Sequence, residues 1–336
     1  MLSLSDYDYS LPEELIAQEP ATPRDHSKLL IYSREDKTIT HDRFFNLGKY
    51  LHPGTRLVLN NTRVNACRIT FDSSSRELFF LEEEHAHDQT MATAMVRPGK
   101  KFKSGSCHEI APGLTAEVLD VLEGGLRKLR LTPSLTDSRW KPFQQTPFPP
   151  YISPNEELSE RYQTVFSKDE GSRAAPTAGL HFTPELLEEL RENGFHQSEI
   201  TLHVGLGTFA PVKADTIEEH EMHSEWWRIT PDAAEELSRA SHRTAVGTTS
   251  MRVLESQPGT PETGIHAGSG DTSIFIFPGV PIRFTDSLIT NFHLPKSTLL
   301  MLVAAMIGVE EMHRIYREAI EQRYRFYSFG DAMLVV

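Results

Sequence analysis

The pattern of turns along the chain changes twice, and this constrains the fold more than any other sequence feature. Between residues 66 and 132 six short apolar runs follow one another: Cys67–Phe71, Glu77–Leu81, Met91–Val96, Cys107–Ile110, Thr115–Leu122 and Arg127–Leu131. Turn signals lie between them, among them Asp72-Ser73-Ser74-Ser75, Arg97-Pro98-Gly99 and Glu123-Gly124-Gly125. Evenly spaced short strands of this kind build a small antiparallel barrel or sandwich. On either side, strands alternate with helices. Thr183-Pro184 offers an N-cap and an N1 proline to a helix that Gly194 stops, and Thr230-Pro231 starts another through Ser238. Further helices are expected over Pro12–Gln18, over Asp42–Leu51, from Pro295 onward and over Glu310–Tyr324. Strands are expected at Lys28–Ser33, Thr55–Leu59, Ile200–Val204, Met222–Trp227, Thr244–Gly247, Ser273–Phe277 and Ser287–Asn291. Such alternation implies a mainly parallel sheet with helices packed on it. The fold class is therefore α/β: a mainly parallel sheet domain from residues 1–65 and 151–336, interrupted by a small antiparallel β-barrel domain at 66–150. The proline-rich stretch Pro142–Pro154 closes the insert.

Composition narrows the function classes. The 336 residues suffice for about two domains. A net charge of −13, from 34 basic and 47 acidic residues, counts against a dedicated nucleic-acid binder but not against a local basic groove. No apolar run reaches the ~18 residues of a membrane span, and the acidic Met1–Ser10 is not a secretory signal. Cys67 and Cys107 lie too far apart for a metal-ligand pattern and do not make a disulfide framework, so a cytoplasmic setting is expected.

In an open α/β sheet, ligands bind where strands end and helices begin. Four unusual loops fall there: Ala174–Thr183, Leu202–Phe209, Val246–Arg252 and Thr290–Thr298. Three of them bear glycine, which lets a backbone approach a ligand, and their helix starts offer free N–H groups to an anion. His181, His203 and His293 each sit in one of them, suited to proton transfer near neutral pH. The run His220-Glu221-Met222-His223, with Glu225, does not match the His-Glu-x-x-His of zinc hydrolases, and no metal is expected. There is no Walker loop and no nucleophile elbow, and Gly205-Leu206-Gly207 lacks the third glycine of a dinucleotide fingerprint.

Nine segments in order carry a resemblance to a known family. They are Leu11–Gln18, Leu59–Val64, Glu160–Phe166, Ala174–Thr183, Leu202–Phe209, Met222–Trp226, Val246–Ser256, Leu288–Val303 and Tyr324–Leu334. Together they resemble the S-adenosylmethionine:tRNA ribosyltransferase-isomerases of queuosine biosynthesis. The resemblance implies an α/β domain with an inserted β-barrel. It also implies transfer and isomerisation of the ribosyl moiety of S-adenosylmethionine onto 7-aminomethyl-7-deazaguanine at the tRNA wobble position, with adenine and methionine released and epoxyqueuosine formed. The partners so implied are that tRNA and S-adenosylmethionine as co-substrate, with no other cofactor and no membrane. A monomer is expected.

The residue roles that follow are expectations. His181, His203 and His293 supply base and acid, in no assigned order. Thr177, Gly179, Gly205, Gly207, Thr208, Thr248 and Thr249 line the S-adenosylmethionine site. Arg63, Arg252 and Lys296 meet the methionine carboxylate or tRNA phosphates, with His223 and Glu225 supporting or joining the site. Two residues depart from the family pattern: Asn61 stands where Asp is expected and Ala210 where Arg is usual. Rival readings are an RNA methyltransferase, which would need a glycine-rich loop not evident here, a non-catalytic tRNA-binding module, and a metal hydrolase.

Overall fold

The computed structural model describes residues 3–153, 155–205, 217, 220 and 222–336. Its strands are β1 (Lys28–Tyr32), β2 (Ile39–Arg43), β3 (Thr55–Asn60), β4 (Thr62–Val64), β5 (Arg68–Phe71), β6 (Arg76–His85), β7 (Thr90–Arg97), β8 (Cys107–Ala111), β9 (Leu114–Val121), β10 (Arg127–Thr132) and β11 (Gln144–Gln145). There follow β12 (Asp169–Ser172), helix α1 (Pro184–Glu192), β13 (His196–Leu202), β14 (Glu225–Ile229), α2 (Pro231–Arg239), β15 (His242–Val246), α3 (Thr248–Glu255), β16 (Gly268–Thr272), β17 (Ser287–Asn291), α4 (Thr298–Ile307), α5 (Val309–Glu321) and β18 (Ala332–Val335). The chain divides into two compact units, one of Met1–Arg63, Pro149–Ser153 and Glu160–Val336, the other of Val64–Phe148 and Pro154–Ser159.

The first unit is built on a nine-stranded sheet of order β16-β14-β13-β3-β15-β17-β18-β1-β2. Successive residues of each inner strand enter opposite cores, as the two-residue period of a strand requires. Leu57 and Leu59, Leu29 and Ile31, Val246 and Ile289 join one core, against Leu186 and Leu190 of α1. Val58, Leu30, Ala245 and Leu288 join the other, against residues of α2, α3, α4 and α5. The sheet is mixed, not mainly parallel. The pairings β13–β3, β3–β15, β15–β17 and β18–β1 are parallel, while β16–β14, β14–β13, β17–β18 and β1–β2 are antiparallel. The reason at β18 is that two helices, α4 and α5, separate it from β17. One crossover helix returns the chain for a parallel strand, whereas a second carries it back to the same end.

Three local expectations also change. Pro12–Gln18 holds only the short 3-10 turn Glu13–Leu15, and Asp42–Leu51 only the 3-10 turn Phe44–Lys49, because β2 claims residues up to Arg43 there. The expected strand at Ser273–Phe277 gives way to β16 just before it. There the Ile274 N–H is taken by Thr272 Oγ1 at 3.2 Å and the Ile274 carbonyl by Arg252 Nε at 3.3 Å, so side chains replace a ladder. α1 and α2 start where their caps predicted, with Thr183 Oγ1 accepting from Leu186 N and Thr230 Oγ1 from Ala233 N.

The second unit holds a seven-stranded antiparallel half-barrel of order β11-β5-β6-β7-β10-β9-β8. All six strands expected from the sequence are present, and the short β11 adds a seventh. The register shifts at Phe80/Glu82, Glu109/Ala111 and Lys128/Leu129. Such bulges bend a sheet and raise its twist. No helix among the described residues is long and apolar enough to cross a membrane.

Candidate functional site

β15 and β17 lie side by side and parallel, and a cleft opens at their carboxyl ends. The ladder runs one residue past β15, where the Gly247 N–H meets the Ile289 carbonyl at 2.8 Å, and the chain then turns into α3. Gly247 makes that turn at φ 92°, a conformation side chains disfavour. The first-turn N–H groups of α3, those of Thr248 and Thr249, have no intrahelical acceptor, and both residues line the cleft. The far end of α3 is fixed by Glu255, whose carboxylate accepts the N–H groups of Arg283, Phe284 and Thr285 at 2.7 to 3.0 Å. The helix therefore presents its amino terminus from a rigid mount. α4 starts beside it, and its N-cap Ser297 also lines the cleft.

The cleft holds about 660 Å³ of space between protein atoms, counted out through its open mouth. One wall is small: Ala174, Ala175, Pro176, Thr177 and Ala178. The opposite wall runs through Thr290, Asn291, Phe292, His293 and Leu294, with Tyr151, Tyr327 and Ser328. Asn291 is buried, donates from Nδ2 to the Tyr327 carbonyl and to His181, and leaves its Oδ1 without a partner among the described residues. A buried amide oxygen of this kind calls for a donor.

The three histidines fall in three different environments. His293 lines the cleft with Nε2 2.7 Å from Thr290 Oγ1, and burial lowers its pKa to about 3. Its backbone is pinned on both sides, the N–H donating to Tyr316 Oη at 3.0 Å and the carbonyl accepting from Tyr9 Oη. His181 does not line the cleft. It stacks on Phe44 and is buried, and burial lowers its pKa to about 4. Asn291 Nδ2 donates to its Nε2 at 3.3 Å, so Nδ1 carries the proton and donates to Ser27 Oγ at 2.8 Å. His203 lies off the cleft as well, half-buried against Trp226 and 2.7 Å from Thr62 Oγ1. Burial lowers its pKa too. Gly171, at φ 145°, makes room for it: a Cβ there would stand 2.6 Å from His203 Nε2.

Of the residues expected to hold S-adenosylmethionine, Thr177, Thr248 and Thr249 line the cleft. Gly179 instead serves packing, since a Cβ would meet Phe166 at 2.7 Å and Thr164 at 2.8 Å. Gly205 gives its N–H to Glu225 Oε1 at 2.8 Å, and Gly207, Thr208 and Ala210 lie outside the described residues. The charged candidates do not line the cleft. Arg252 and Glu225 form a buried ion pair, each side chain 4% exposed. Lys296 pairs with Asp8 at 2.7 Å on the surface, Arg63 with Glu160 at 3.3 Å, and His223 is exposed. Asn61 spends its amide on Glu199 Oε2 and takes a hydrogen bond from Thr201 Oγ1, an environment in which a second carboxylate would face Glu199. Among the described residues no three His, Cys, Asp or Glu gather as metal ligands.

Sequence reasoning missed Tyr151, Asn291, Tyr327 and Ser328. Tyr151 sits in the proline-rich stretch and Tyr327 just before β18, both outside the four strand-end loops that drew attention. Asn291 had a signal, since it is the last residue of a buried strand entering one of those loops.

Comparisons with known proteins bear on the same segments. A family model described as queuosine biosynthesis protein matches residues 4–335. A relative from Desulfitobacterium hafniense, named S-adenosylmethionine:tRNA ribosyltransferase-isomerase, is 44% identical over 346 residues and covers 100% of each chain. One of the same name from Heliobacterium modesticaldum is 46% identical over 342 residues, 98% of each chain. A crystal structure of S-adenosylmethionine tRNA ribosyltransferase from Thermotoga maritima is 35% identical, with a TM-score of 0.55, covering 98% of this chain and 100% of that one.

Proposed function

The chain belongs to the queuosine biosynthesis protein family, and from that premise we infer that it is an S-adenosylmethionine:tRNA ribosyltransferase-isomerase. It moves the ribosyl part of S-adenosylmethionine onto the aminomethyl nitrogen of 7-aminomethyl-7-deazaguanine in tRNA and isomerises it, releasing adenine and methionine. The observation that carries the assignment to this cleft is a coincidence of position. Every residue lining it except Tyr151 falls in five of the nine segments that resemble the family.

The chemistry suits those residues. The N–H groups and hydroxyls of Thr248 and Thr249 at the start of α3 suit the methionine carboxylate. The small wall from Ala174 to Ala178 admits the ligand closely, and the rings of Tyr151, Phe292 and Tyr327 suit an adenine face. Asn291 Oδ1 suits an amino or hydroxyl donor of the ligand. A sulfonium acidifies its neighbouring C–H bonds, so a base removes a ribose C5′ proton, and an acid then assists departure of adenine. We assign the proton transfer in this cleft to His293, whose low pKa keeps it neutral at pH 7 and whose Nδ1 has no partner among the described residues. His181 acts as a positioning residue, holding the Asn291 amide. Cys67 and Cys107, neither of them in a disulfide, suit a reducing cytoplasm, the setting of tRNA.

The test is to incubate the protein with S-adenosylmethionine and tRNA bearing the aminomethyl base and to analyse small molecules by mass spectrometry. Adenine and methionine, formed only with that tRNA, are the expected products. S-adenosylhomocysteine in their place would establish methyl transfer and overturn the assignment.

A further inference from the structure

Residues 64–148, the bulk of the second unit, hold 11 Lys and Arg against 11 Asp and Glu, so the chain's net charge of −13 is carried elsewhere. Within that unit the cations are treated unequally. Arg68, Arg76, Arg130 and Arg139 are ion-paired with Glu77, Asp72, Glu117 and Asp137 at 2.6 to 3.9 Å. Lys100, Lys101 and Lys103 are exposed and form no ion pair among the described residues. They occupy one turn after β7, and that turn is built to hold still. Phe102, between them, is fully buried with its ring 4.3 Å from His108 and 6.3 Å from Phe71. Beneath it the buried Arg127 donates from Nε to the Phe102 carbonyl at 2.6 Å and from Nη2 to the Gly99 carbonyl at 3.0 Å. The Lys103 carbonyl is held by the Ser106 N–H at 2.9 Å.

Three unpaired ammonium groups on a braced turn are a preorganised anion surface. Glu123 sits on the neighbouring turn, and no ion pair joins it to them among the described residues. The acidic stretch Glu82-Glu83-Glu84 is remote. In the β6–β7 ladder Glu77 faces Arg97, whereas Glu82, Glu83 and Glu84 face Thr93, Ala92 and Met91, four to six residues back along β7. At about 3.3 Å per residue that is roughly 13 to 20 Å, beyond a Debye length of about 8 Å at physiological salt.

We propose that the turn at Lys100, Lys101 and Lys103 docks the phosphate backbone of the tRNA substrate. The proposal rests on the tRNA-modifying reading above. RNA is the partner favoured because an otherwise acidic chain that acts on tRNA needs a place where phosphates meet uncompensated cations.

The experiment compares wild type with the triple variant Lys100→Glu/Lys101→Glu/Lys103→Glu, and with a charge-matched control, Arg191→Glu/Arg239→Glu/Arg323→Glu. Binding of fluorescent tRNA is measured by anisotropy at several salt concentrations, alongside steady-state adenine release. The lysine variant is expected to raise both Kd and KM for tRNA at least tenfold. Its kcat and its KM for S-adenosylmethionine should stay within twofold of wild type, which also shows that it is folded. Its salt slope, log Kd against log salt, should fall by about 2 to 3 for three lost phosphate contacts. Unchanged tRNA binding overturns the proposal. So does an equal loss in the control, which would trace the effect to net charge, or loss of binding to phosphatidylserine vesicles with tRNA binding intact. Should wild type bind tRNA yet release no adenine, the functional reading fails while the anisotropy series still decides the turn.

Discussion

His181 and His293 differ in what they touch, so replacing them should have different effects. His293 faces the cleft, and His293→Ala is expected to lower turnover about 100-fold or more with the fold retained, measured as adenine release. His181 is enclosed between Ser27, Asn291 and Phe44. Its removal leaves buried partners unsatisfied, so His181→Ala should cost about 1–3 kcal/mol in chemical denaturation. Both rings are held neutral by burial, with pKa about 4 and about 3 against 6.5 in the unfolded chain. The unfolded state thus binds more protons below pH 6.5. The stability these groups contribute is complete above that pH and is lost as pH falls toward their folded values. Between pH 7 and pH 4, wild type should lose a few kcal/mol more than His181→Gln, and parallel denaturation curves would remove this account. That histidines sit in these strand-end loops was legible in the sequence. Which of them reaches a ligand was not, because strand-end loops of one sheet open both into the cleft and away from it.

At the scale of elements, α3 links the cleft to the edge of the sheet. Its first turn faces the cleft and its Arg252 pairs with Glu225 of β14, whose other oxygen holds the Gly205 N–H. Glu225→Ala strands a buried guanidinium and is expected to cost about 3–5 kcal/mol. Replacing both partners by apolar residues of similar size should cost less, a contrast that thermal denaturation reads directly. Gly247 sets how α3 starts. Gly247→Ala at φ 92° should cost about 1–2 kcal/mol and raise KM for S-adenosylmethionine at least fivefold, with KM for tRNA unchanged. The sequence marked α1 and α2 through their Thr-Pro starts, since capping is local chemistry. It marked Arg252 and Glu225 as ligand contacts, because a charged residue on a strand or helix reads as exposed until a partner from another element is seen to bury it.

For the whole molecule, the salt response separates the two substrates. Three phosphate contacts imply that raising salt from 50 to 200 mM cuts kcat/KM for tRNA roughly 20- to 40-fold. S-adenosylmethionine, for which we propose a cleft whose lining has no Lys or Arg, should respond little. A steady-state series at saturating levels of the other substrate measures both, and equal responses would refute the separation.

The sequence by itself determined the antiparallel run between residues 66 and 132 and the caps of α1 and α2, and it singled out the loops that line the cleft. Each follows from local periodicity and turn chemistry, which depend on neighbours within a few residues. The tertiary structure decided the direction of β18, the burial of Glu225 against Arg252, the enclosure of His181 and the entry of Tyr151 and Tyr327 into the cleft. These depend on which distant segments meet, and a sheet ordered β13-β3-β15-β17-β18-β1 brings together residues nearly the full chain apart.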